Sequence, residues 1–357
     1  MRTGMRKQVG GVVLAIFLFL VFCVSTGKTE TKLGDAEAYN KRGMAYSDKG
    51  QHDQAISDFT KALEINPRYA EAYNNRGIAY RKKGQYDQAI SDYTKALEIS
   101  PRYAAAYNNR GTAYGQKGQH DQAISEYTKA LEINPKLADA YYNRGIAYSD
   151  KGQYDQTISD STKALEINPR YAEAYSIRGI AYSNKGQYDQ AVSDLTKALE
   201  INPRDADAYY NRGIVYRRKG QHDQVISDST KALEINPRYA SAYNNRGFAY
   251  LNKGQHDKAI SDYTKALEIN PRDADAYFNR GILYGKKGQH DQAISDFTRA
   301  LEINPRDAYA YYNRGFTYYF KSEYEKSWKD VEKAQSLGFQ IPPKFLDELR
   351  KASGRNK

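Results

Sequence analysis

Five histidines, His52, His120, His222, His256 and His290, stand among 43 acidic residues, the side-chain types that ligate metals or move protons. Their spacing argues against both uses. Each histidine opens a phrase of the form His-Asp-x-x-Ile, and the equivalent place elsewhere holds Tyr86, Tyr154, Tyr188 or Tyr324. A position that accepts histidine or tyrosine alike is a packing position at a helix start. Neighbouring ones would lie about a helix diameter apart, on the order of 10 Å, too far to share an ion. No cysteine pair, phosphate-cradling glycine loop or nucleophile elbow is present in the sequence, so no metal, no cofactor and no enzymatic activity is expected. A second charged constellation is more regular. Arg76 precedes Asp92 by 16 residues, and the same step joins Arg110 to Glu126, Arg144 to Asp160 and Arg212 to Asp228. It also joins Arg42 to Asp58, Arg178 to Asp194, Arg246 to Asp262, Arg280 to Asp296 and Arg314 to Asp330.

The elements that hold these residues repeat every 34 positions. Eight full units begin at Ala36, Ala70, Ala104, Ala138, Ala172, Ala206, Ala240 and Ala274, and a worn ninth begins at Ala308. Such a period is the mark of a stacked array. Each unit reads as two helices. In the second, Tyr73, Gly77 and Tyr80 form one helical stripe, "KKGQY" breaks it at Gly84, and Ala89, Tyr93, Ala96 and Leu97 form another. Pro101 then ends the run. In an antiparallel pair with Gly77 facing Ala89, Arg76 reaches the height of Asp92. The arginine is therefore expected to clasp the acid within the repeat, its stem packed on tyrosines, rather than to bind a ligand.

The unit resembles the tetratricopeptide repeat, over residues 36–341. The tyrosine at position 4 (Tyr39, Tyr73, Tyr107), the glycine at position 8 (Gly43, Gly77, Gly111), the tyrosine at 11, the small residue at 20 and the proline at 32 all match. The resemblance implies an all-α fold, an α-solenoid in which antiparallel helix pairs stack into a right-handed superhelix with a concave inner face. Arginine at position 7, where the family often has leucine, is a departure. So are Ser161 and Ser229 at position 24, a place for a bulky residue; only there is position 20 enlarged, to Thr157 and Val225. Units four and six are expected to be locally soft.

In the family, positions 2, 5, 6, 9, 12 and 13 of the first helix face the ligand. Position 6 is Asn75, Asn109, Asn143, Asn211, Asn245, Asn279 and Asn313, a ladder of amides able to donate and accept along an extended peptide. Position 9 is apolar except at Thr112, and includes Phe248 and Phe316, while position 5 becomes Tyr210, Phe278 and Tyr312 toward the C-terminal end. These twelve side chains are the expected groove, either as an exposed apolar strip or partly buried against the adjacent repeat. The basic residues of the family's carboxylate clamp are not matched, Lys41 aside.

The net charge of +11 is dispersed: +3 in residues 1–35, +4 over the eight full units and +4 in residues 308–357. No phosphate-tracking stripe results, and neither a nucleic-acid partner nor a small-molecule substrate is expected. Residues 1–27 join a basic start to an apolar run, with 20 uncharged residues between Lys7 and Lys28. They read as a signal peptide or as an N-terminal hydrophobic helix anchoring the chain in a membrane through residues 8–27, with the repeats outside. The sole cysteine, Cys23, resembles a lipoprotein acylation site, except that Phe22 stands where a small residue is usual. Residues 28–35 form a linker. Units 36–307 and 308–341 then lead into a capping helix and tail, 342–357, built on Phe345, Leu346 and Leu349, with Trp328 closing the contact. The expected function is a non-enzymatic, exported scaffold, periplasmic or extracellular, that holds an extended peptide or a helix of another protein. The alternatives are a structural spacer or self-assembling solenoid, and a weak nucleic-acid binder.

Overall fold

The protein's structure, a computed structural model, describes residues 34–355. The expected signal or anchor, and Cys23, lie outside them. Among the described residues no helix is long and apolar enough to cross a membrane.

Every regular element among the described residues is a helix. The chain forms two compact units that divide between Ile177 and Arg178. The first holds α1 (34–48), α2 (His52–Ile65), α3 (Ala70–Lys82), α4 (Tyr86–Ile99), α5 (Ala104–Gln116), α6 (His120–Ile133), α7 (Ala138–Asp150) and α8 (Tyr154–Ile167). The division falls inside α9 (Ala172–Asn184). The second continues with α10 (Tyr188–Ile201), α11 (Ala206–Arg218), α12 (His222–Ile235), α13 (Ala240–Asn252) and α14 (His256–Ile269). It ends with α15 (Ala274–Lys286), α16 (His290–Ile303), α17 (Ala308–Phe320), α18 (Tyr324–Ser336) and α19 (Pro343–Ser353).

The connection between the two helices of a repeat is set by one glycine. Gly84 sits at φ +74°, where a side chain would be strained. This lets Gly84 N–H donate to the Arg81 carbonyl and Gln85 N–H donate to that of Tyr80, both at 2.9 Å. The two bonds close the helix end in a Schellman turn. The histidines at position 17 each begin a second helix.

From α2 to α8 and from α10 to α19 each helix packs on the next, and first helices of neighbouring repeats touch, as α3 touches α5 and α13 touches α15. The core is a run of small clusters. In one, Ala89 and Tyr93 of α4 meet Ala113 of α5; in another, Leu97 of α4 meets Ala106. The tail closes the second unit. Phe345 and Leu349 of α19 bury Trp328 and Val331 of α18, and Trp328 Nε1 donates to Ser353 Oγ at 2.9 Å. Among the described residues no equivalent cover lies on α1. Ala38 and Ala45 are exposed, whereas Ala72 and Ala79, their counterparts one repeat later, are fully buried.

Candidate functional site

The arginines fix the helix pairs. Arg76 Nε and Nη2 donate to Asp92 Oδ2 and Oδ1 at 2.7 and 2.8 Å, a fork on a buried carboxylate. The same arrangement joins Arg144 to Asp160 and Arg212 to Asp228, and Arg110 grips Glu126 Oε2 at 2.7–2.8 Å. The guanidinium also lies over Tyr73, 5.6 Å from the ring centroid.

The clasp has a third arm that the sequence reading lacked. Arg76 Nη1 donates to Thr60 Oγ1 of the preceding repeat at 3.0 Å. That hydroxyl in turn donates to the Ile56 carbonyl. The pattern recurs at Arg110–Thr94 and Arg144–Thr128, and at Arg246–Thr230, Arg280–Thr264 and Arg314–Thr298. The signal was the threonine that holds position 25 in all eight full units. Arg42 has no repeat ahead of it among the described residues, and its side chain is 54% exposed against 18% for Arg76. The bond from Arg42 nonetheless holds the Asp58 carboxyl below the usual carboxylate range. A depressed folded pKa stabilises the pair fully above the unfolded value, about 4, and less as pH falls below it. Asp58→Asn should therefore flatten the acid side of the urea-midpoint-against-pH curve.

In the first unit the amide ladder is bonded to itself. Asn75, Asn109 and Asn143 donate through Nδ2 to Oδ1 of Asn40, Asn74 and Asn108 in the repeat before, at 3.1, 2.9 and 3.1 Å. These side chains are inter-repeat ties with one N–H left over. In the second unit the pattern lapses: position 5 of the preceding repeat is aromatic ahead of Asn245 (Tyr210) and Asn313 (Phe278), and Asn244, ahead of Asn279, donates to Asp273 instead. Asn245 is buried and donates to Ser229 Oγ at 3.3 Å. Asn313 donates to its own helix at Tyr309 O, and Asn211 and Asn279 are half-buried.

The aromatic side chains are also partly committed. Tyr210 packs on Tyr239 with centroids 5.1 Å apart, and Phe278 on Phe297 at 5.9 Å. Arg217 lies 3.7 Å above the Phe248 ring. Tyr312 stacks on Phe339 at 4.7 Å, and Phe316 meets Phe345 at 5.0 Å, so both are held beneath the cap. Beyond the exposed Met44, position 9 is half-buried rather than an open strip: Ile78 leans on the cluster that contains Ala113 of the following repeat.

Open volume appears where position 12 is small. Gly115 opens a cavity of about 230 Å³ among α5, α6 and α7, lined by Thr112, His120, Tyr127, Asn143 and Asp150. There Tyr127 OH donates to Thr112 Oγ1 at 3.3 Å, His120 Nδ1 lies 3.6 Å from Asp150, and burial pushes the Tyr127 phenol up to about 12. Gly285 opens a larger, more apolar one, about 510 Å³, among α15, α16 and α17. Its walls are Ile282, Phe297, Phe316 and Phe320, with His290, Lys286 and Asn313 at the edge. Phe320 is 55% exposed and its ring lies parallel to His290, within 3° at 5.7 Å. Packing does not demand glycine at either place: an added Cβ would meet nothing closer than 3.9 Å at Gly115 and 4.0 Å at Gly285. A mid-helix glycine is unfavourable by roughly 0.5–1 kcal/mol relative to alanine, so what it contributes is the space. Sequence reasoning passed over Gly115, Gly285 and Phe320; the available signal was variability at position 12, which holds Arg81, Gly115, Ser149, Ser183, Arg217, Leu251, Gly285 and Tyr319. Among the described residues no group of three His, Cys, Asp or Glu side chains is placed to hold a metal ion.

Profiles described as tetratricopeptide repeat match residues 34–101, 68–136, 138–171, 162–193, 206–239, 240–273, 274–307 and 297–329, and a TPR repeat profile matches 181–220. The chain belongs to the tetratricopeptide repeat family and is a protein–protein interaction scaffold of that class. Among solved structures it is similar to YrrB, described as a TPR protein with an unusual peptide-binding site, at 30% identity over 52% of this chain and 95% of that one, TM-score 0.44. It shares its fold with the APC/C hetero-tetramer Cut9–Hcn1, at 20% identity over 74% of this chain and 52% of that one, TM-score 0.58. It also shares its fold with a repeat protein of Parabacteroides merdae, at 23% identity over 70% and 99%, TM-score 0.54. No curated protein matches the sequence significantly.

Proposed function

We propose that the protein is a non-enzymatic scaffold that seats an apolar side chain of a partner's extended peptide or helix in the Gly285 cavity. The observation that carries this reading is the exposed Phe320 beside an apolar hollow that no packing requirement explains. Apolar hollows with a few polar groups at the rim are the usual form of a binding site, and aromatic anchors contribute most of the affinity where they are desolvated. Gly285→Leu fills the hollow with a residue that favours helix. Capture of the native partner from host membranes should fall at least about tenfold, with the thermal midpoint unchanged or raised. Undiminished capture would remove the cavity from the site.

The expected location outside the cytoplasmic membrane rests on residues 1–27 alone, the basic start and apolar run supporting export. Mass measurement of the mature N-terminus tests it: an intact chain in the cytoplasmic fraction rules export out. Self-assembly has one observation in its favour, the face of α1 that no described residue covers. A concentration-independent monomer by light scattering would dispose of it.

A further inference from the structure

A hollow of about 790 Å³ in the second unit lies on the other side of the helix pairs, between α16 and α18. Its floor is the clasp arginine Arg314 with Tyr311 and Tyr318 of α17; its wall is α18, through Lys326, Lys329 and Lys333. The equivalent positions of the eight full repeats serve as an internal control. In all eight full units the place of Lys329 is serine, from Ser57 to Ser295, and that of Ser336 is glutamate, from Glu64 to Glu302.

The exchange changes the charge of the groove. In the full repeats the cation at position 26 is mostly answered by the glutamate three residues on: Lys95 by Glu98 at 2.8 Å, Lys231 by Glu234 at 2.8 Å, and Arg299 by Glu302 at 2.6 Å. In the ninth, Ser336 replaces that glutamate and donates instead to the Lys333 carbonyl at 2.7 Å. Lys333 loses its acid, and Lys329 is a new cation where serine stood. Neither ammonium has an ion-pair partner among the described residues, while Lys326 is held by Glu323. The two acids at the groove are already engaged, Asp330 by Arg314 and Glu332 by Arg355.

We propose that this groove binds a short acidic segment of a partner protein, on a face separate from the Gly285 cavity. Lys326, Lys329 and Lys333 are spaced by three and four residues along one face of α18. They thus make a row of point charges about 4.5–6 Å apart along the axis. Carboxylates spread along a peptide match such a row, and Tyr311 and Tyr318 supply apolar contact for its backbone and stems. A phosphate fits less well. The only arginine in the groove has Nε and Nη2 on Asp330 and Nη1 on Thr298, so no fork remains for bidentate recognition.

The test is fluorescence anisotropy of the full chain with a labelled glutamate-rich peptide. Binding is expected, weakening roughly tenfold or more between about 50 and 200 mM salt if several ion pairs form. K329E/K333E should weaken it at least about tenfold. K329S/S336E, which rebuilds the groove of the other repeats, should do the same with circular dichroism unchanged. Gly285→Leu should leave this binding intact, which keeps the two sites apart. Equal binding by wild type and both groove variants overturns the proposal. So does displacement of the peptide by inorganic phosphate at matched ionic strength, or tighter binding of a labelled oligothymidylate.

Discussion

Arg76→Leu is expected to destabilise the repeat that carries it by about 3–5 kcal/mol, because Asp92 would be left buried and unpaired. Asp92 is 5% exposed, and Arg76 supplies a hydrogen bond to each of its two carboxylate oxygens. The double variant R76L/D92L should recover most of the loss, to within about 1–1.5 kcal/mol of the parent, since two apolar groups of similar volume need no partner. The measurement is urea unfolding followed by helicity, with hydrogen exchange to locate the softened repeat, since array proteins lose stability locally. A single variant within about 0.5 kcal/mol of the parent would mean that the pair behaves as an exposed one, and the clasp would lose its role. The third arm should report independently: Thr60→Val removes the inter-repeat bond to Arg76 and is expected to lower stability by about 1 kcal/mol.

The same glycine position should respond with opposite signs in two repeats. An added Cβ at Gly77 would come within 2.6 Å of the Tyr93 ring, whereas at Gly145 it would meet Ser161 Oγ at 3.5 Å, an ordinary contact. Tyr93 is fully buried and cannot swing away. Gly77→Ala is therefore expected to destabilise by about 1–3 kcal/mol through overpacking. Gly145→Ala should stabilise by about 0.5–1 kcal/mol, since the helix gains a better former with no clash. Thermal midpoints of the two variants, compared with the parent, decide it; a loss of stability in both would show that Ser161 does not create room. The result also bears on the softness expected of units four and six, because Ser161 Oγ is buried without a hydrogen-bond partner.

Much of this architecture is legible in the chain. The 34-residue step, the glycine at the helix turn and the 16-residue arginine-to-acid step each follow from local rules of helix geometry, capping and charge pairing. The twelve groove side chains are a different case. Their types suggested free hooks and anchors, yet Asn75 bonds to Asn40, Tyr312 is under Phe339, and Phe316 is against Phe345. Whether an amide or a ring is free depends on which neighbour reaches it first, and that neighbour sits a full repeat away or in the cap.

Repetition by itself determined the helix pairs, their order and the clasp, because each depends on contacts within one unit and every unit carries the same residues. Tertiary structure alone decided where the array is open: beside Gly285, where a missing side chain leaves a hollow, and along α18, where Ser336 leaves Lys333 without its acid. Open volume and uncompensated charge are properties of several elements together, so no single stretch of sequence records them.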